Sequence, residues 1–83
     1  SNKMKAFIDL LAEEQDCLRN IKIADKALVT LNNIAKDREL TSTQDKMWHY
    51  YISRITELAS ELPRIQAEIV NSITYYPRTA KEK

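Results

Sequence analysis

From Trp48 onward an apolar or aromatic side chain recurs every seven residues: Trp48, Ile55, Leu62, Ile69 and Tyr76. Two neighbouring rows keep the same step. One holds Tyr51, Leu58, Ile65 and Ser72; the other holds Ile52, Ala59, Gln66 and Ile73. A seven-residue spacing of this length belongs to a helix lying at a shallow angle along its neighbours. A strand would alternate with period two, and this segment does not.

The first half carries a second helical pattern, from about Met4 to Lys36. Its stripe reads Met4, Phe7, Leu11, Leu18, Ile21, Leu28, Leu31 and Ala35. A strict seven-residue step drifts about 20° per heptad on a straight helix, and a left-handed supercoil absorbs that drift. Glu14 and Asp25 interrupt the stripe, and Ala24, Ala27 and Ile34 widen it. On this reading Leu10, Val29 and Ile34 fall outside the seam between the two helices.

The stretch from Asp37 to Thr43 separates the patterns. Thr41 followed by Gln44 has capping-box spacing, so the second helix is expected to begin near 42–44. The first is expected to end near 36–38, where Lys36 and Arg38 suit the negative end of its dipole. Tyr76-Pro77 is expected to close the second helix, leaving 78–83 as a flexible charged tail. Ser1 and Asn2 read as a cloning remnant, which puts the domain at 3–77. Pro63 falls inside the second pattern, where proline removes one hydrogen bond and crowds a carbonyl. The helix is therefore expected to be kinked or broken there. The apolar register does not slip across Pro63, which favours the kink.

Folding the chain back at residue 40 pairs positions that add to about 80. Ile52 then meets Leu28, Leu62 meets Leu18, Ile69 meets Leu11, and Gln66 falls opposite Glu14. The fold expected is all-α: a long antiparallel helical hairpin in a coiled-coil-like bundle. Two rods share only a seam, and the apolar stripes are wider than one partner helix covers. Completion by oligomerisation follows, with two hairpins forming a four-helix bundle.

Composition removes many functions. The chain of 83 residues has no glycine, so it has no Gly-rich phosphate loop. One histidine and one cysteine exclude a zinc quartet, a CxxC pair and an internal disulfide. His49 and Asp45 lie one turn apart, but no further ligands complete a metal shell by spacing. Asp9, Glu13, Glu14 and Asp16 form an acidic patch that reads as a solvated face. Glu14 differs from its neighbours, because with Gln66 it would form a polar layer fixing register. Cys17 beside Asp16 has no histidine partner and reads as unreactive. No apolar run approaches the roughly 20 residues of a membrane span, so no membrane partner is expected. A lone cysteine fits a reducing, cytoplasmic setting.

The function expected is a non-catalytic interaction or assembly module without cofactor. It would self-associate, most simply as a homodimer, and present a helix face to a protein partner. The association surface is assigned to Leu10, Leu28, Leu31, Ile55, Leu58, Leu62 and Ile65, with Tyr50 as a peripheral anchor. The alternative is a small nucleic-acid-binding regulator. It would use the basic end, where Lys3, Lys5, Arg78, Lys81 and Lys83 gather beside Tyr75. The net charge of +1 supplies no general field for such a ligand.

Overall fold

The structure, a computed structural model, describes the backbone of residues 6–81 and side chains as far as residue 73. It consists of two helices, α1 (Phe7–Asp37) and α2 (Ser42–Lys81), packed against each other as a hairpin. No strand occurs among the described residues. The principal extents, 67 × 23 × 15 Å, are those of a slab two helices wide and one thick.

The reversal is built as its residues require. The Arg38 N–H donates to the Ile34 carbonyl at 3.2 Å and ends α1. Thr41 and Gln44 then form a reciprocal capping box. The Thr41 N–H donates to Gln44 Oε1 at 3.0 Å, and the Gln44 N–H donates to Thr41 Oγ1 at 3.1 Å. Two of the donors left over at a helix start are satisfied in this way. Among the described residues none takes positive φ, so the turn closes without glycine.

Of the alternatives at Pro63, the break does not occur, and α2 runs on through it. The end expected at Pro77 is corrected, because α2 continues to Lys81. Pro63 removes only the bond to the Ala59 carbonyl. Its ring is exposed, while Leu62 and Ile65 on either side hold the helix to α1. The segment expected as a flexible tail is therefore helical over 78–81.

The seam also differs from the expected stripe. On α1 the buried residues are Leu10, Cys17, Ala24, Leu28 and Leu31. Four of them, Leu10, Cys17, Ala24 and Leu31, lie seven apart. Facing them on α2 are Leu58, Ile65 and Ser72, again seven apart and all buried. Leu10, expected outside the seam, is 2% exposed, whereas Leu18, expected within it, is 41% exposed. The physical reason is size. Cys17 and Ala24 are small and let the helices approach closely, so the axis of contact follows them and not the largest side chains. Cys17 shows the closeness directly, its Sγ donating to the Leu58 carbonyl at 3.4 Å.

Candidate functional site

The seam divides the slab into two lateral flanks. Residues one and four positions after each seam residue turn to one side of α1. Because α2 runs the opposite way, the same offsets turn to that same side of α2. Contacts confirm the geometry. Gln66 Nε2 donates to Glu14 Oε2 at 2.9 Å, and Trp48 Nε1 donates to Asn32 Oδ1 at 3.0 Å. Both pairs add to 80, the register expected from sequence. Ile21, Leu62 and Ile69 pack on this side against the cluster of Cys17, Leu58 and Ile65.

This first flank is apolar along most of its length. From the open end toward the loop, Phe7 lies level with Ile73, Leu11 with Ile69, Leu18 with Leu62, Ile21 with Ala59, and Leu28 with Ile52. Leu11, Leu18, Ile52 and Ile73 are exposed. Ile21, Ile55, Leu62 and Ile69 are half-buried. Among the described residues its ionisable groups are the carboxylates of Glu14, Asp25 and Asp45; Glu14 is hydrogen-bonded to Gln66 and Asp45 lies beside His49.

The opposite flank is polar. Along α2 it carries Arg54, Glu57, Glu61, Arg64 and Glu68. Arg54 pairs with Glu57 at 3.2 Å and Arg64 with Glu68 at 3.4 Å. Along α1 it carries Asp9, Glu13 and Asp16, and Asp16 pairs with Arg19 at 2.9 Å. Its apolar content is scattered. Ile23 and Tyr50 are exposed beside a shallow notch lined by Asn20, Ala24, Tyr51 and Arg54. Tyr50 stacks edge-on against Tyr51 with ring centroids 5.1 Å apart.

The residues assigned to association from sequence separate accordingly. Leu10, Leu28, Leu31, Leu58 and Ile65 are buried inside the hairpin and are not available to a second chain. Ile55 and Leu62 are half-buried on the apolar flank. Tyr50 is exposed on the other one. Leu11, Leu18, Ile52 and Ile73, which the expected pairing put in the seam, are exposed on the apolar flank. Glu14 and Asp25 were the available signal, since carboxylates interrupting a stripe mark it as wet. For the alternative reading, Lys3, Lys5 and Lys83 lie outside the described residues, as do the side chains of Tyr75, Arg78 and Lys81.

The reactive side chains do not converge. His49 Nε2 lies 3.6 Å from Asp45 Oδ2, with both side chains in solvent. Trp48 meets the His49 ring edge-on at 5.2 Å. Among the described residues no group of three His, Cys, Asp or Glu side chains is placed to hold a metal ion. The Cys17 thiol is held above its ordinary value, first by burial and then by the Glu61 carboxylate, with Arg54 opposing. Such a thiol is a poor nucleophile. Among the described residues no helix is long and apolar enough to cross a membrane. Compared with known proteins, the chain matches no family model, no curated protein and no solved structure.

Proposed function

We propose that this hairpin is a non-catalytic assembly module that self-associates through its apolar flank into a coiled-coil-like four-helix bundle. The observation that carries the reading is the asymmetry of the flanks. Exposed Leu11, Leu18, Ile52 and Ile73 are aligned on one side, while the Arg54–Glu57 and Arg64–Glu68 ion pairs occupy the other. Monomeric proteins rarely leave contiguous apolar patches beyond a few hundred Å². From Phe7 to Asn32 the apolar flank is roughly 38 Å long and about 20 Å wide. Its footprint of about 750 Å² is close to what each partner contributes to a standard interface. The polar flank stays outside and is free to meet a protein partner, with Tyr50 as its exposed aromatic.

Light scattering coupled to size exclusion, over a hundredfold concentration range, tests this. The native chain is expected at twice its monomer mass. Leu18→Asp with Ile52→Asp, at exposed positions of the apolar flank, is expected to give a folded monomer. Ile23→Asp on the polar flank is expected to leave the mass doubled. A native chain that stays monomeric, or a doubly substituted chain that stays dimeric, overturns the reading.

A further inference from the structure

The Glu14–Gln66 pair sits within the apolar flank, between Leu11 with Ile69 on one side and Leu18 with Leu62 on the other. Its bonding is half used. Gln66 has two amide N–H donors, and one meets Glu14 Oε2. One amide N–H and the second carboxylate oxygen remain on the flank's surface, beside the Gln66 amide oxygen. A covering surface must complete the donor and the carboxylate, because a buried charge without partners is costly.

A second copy can lie on this flank in two directions. With the loops at the same end, each α1 crosses onto the α2 of the copy and every level meets itself. Glu14 then faces Gln66 of the second copy, and Gln66 faces its Glu14. The four groups close a ring in which each amide donates twice and each carboxylate accepts twice. Asp25 lies level with Ile55 of the copy, away from any carboxylate.

Turned end for end at greatest overlap, α1 lies on α1 of the copy. Glu14 then faces Asp25 of the copy, and Asp25 faces its Glu14. Two carboxylate pairs meet with no cation on the flank to separate them. Like charges set against each other across an interface cost several kcal/mol.

We infer that the occupant of the apolar flank is a second copy docked in the same direction, loops together, with Glu14 and Gln66 of both chains forming one closed polar layer. The inference rests on the proposed self-association and adds its direction and register. It is read by a nitroxide at Glu39→Cys, in the exposed loop, on a Cys17→Ala background. Double electron–electron resonance on the dimer is expected to give a separation within about 30 Å, the breadth of a four-helix bundle. Docking end for end would separate the labels by about 60 Å and overturn the inference while leaving self-association intact. A monomeric chain overturns self-association and the inference with it.

A second measurement needs no label. Gln66→Glu places four carboxylates in one layer and is expected to weaken the dimer by about tenfold or more. Glu14→Gln combined with Gln66→Glu restores the complementary ring and is expected to recover most of that loss. A Gln66→Glu dimer of unchanged affinity, or a double variant without recovery, overturns the ring.

Discussion

The two flanks of the hairpin are built from the same two helices at the same spacing, yet they solve opposite problems. On one, Leu11, Leu18, Ile52 and Ile73 stand exposed in line, with the hydrogen-bonded Glu14–Gln66 pair among them and Asn32–Trp48 at the loop end. On the other, Arg54 and Arg64 each meet a glutamate one turn away, and exposed Ile23 and Tyr50 gather beside one notch instead of standing in line. A slab one helix thick has no interior beyond its seam. Burial within the chain therefore cannot distinguish a flank meant for water from one meant for a partner. The distinction lies in composition. A solvent flank satisfies its charges locally, along one helix. Among the described residues the apolar flank carries carboxylates with no lysine or arginine, and its Glu14–Gln66 and Asn32–Trp48 hydrogen bonds reach across the seam.

The largest expected effect separates seam from flank. Leu58 is buried, with its carbonyl accepting from Cys17, whereas Leu18 is 41% exposed. Leu58→Ala is expected to cost about 2–5 kcal/mol of unfolding free energy, the usual range for a buried leucine. Leu18→Ala in dilute, monomeric protein is expected to cost about 1 kcal/mol or less, because a large part of its side chain, 41%, already faces water. Urea unfolding of both variants at low micromolar concentration makes the comparison. Equal losses would mean that Leu18 belongs to a closed core and that the apolar flank is not an outer surface. Repeated at high concentration, the Leu18 loss is expected to grow, since dimer formation adds to apparent stability.

Much of this was legible in sequence, and the failures share one cause. The seven-residue rows of α2, the Thr41–Gln44 capping box and the Glu14–Gln66 register all follow from spacing and local hydrogen-bond chemistry. Spacing fixes which residues share a row. It does not fix which of three adjacent rows turns inward, and the choice among them was made by side-chain size. That choice favoured Leu11 and Leu18 over Cys17 and Ala24, although small residues are what close approach of two helices needs. The seam lies one row from the expected stripe, and Leu10, Leu28, Leu31, Leu58 and Ile65 are buried in it. At Pro63 the unslipped register favoured a helix that continues, and α2 does continue, held by packing on both sides of the residue.

The middle effect probes the seam through its thiol. Burial and Glu61 raise the Cys17 pKa above its ordinary value of 9.0 in the folded chain. In the unfolded chain the thiol ionises at about that ordinary value. The folded state thus binds the proton more tightly than the unfolded one. Stability from this site is complete below about pH 9 and is lost as pH rises through the folded pKa. Difference unfolding curves between the native chain and Cys17→Ala, followed from pH 7 to 10.5, are expected to show a loss specific to the native chain above pH 9. Parallel curves would mean that the thiol is solvated and that the helices part near Leu58.

The smallest expected effect lies on the polar flank, and its smallness is the point. Arg64 meets Glu68 at 3.4 Å, with side chains 56% and 43% exposed. An exposed pair one helical turn apart contributes about 0.3–0.5 kcal/mol, since solvent and salt screen it. Arg64→Ala with Glu68→Ala is therefore expected to shift urea unfolding by less than about 1 kcal/mol and to leave the solution mass unchanged. Alanine also retains helix propensity, so the backbone loses nothing. A larger stability loss would mean that these charges are buried by a partner. A fall in mass would place the self-association surface on this flank, reversing the roles assigned to the two sides.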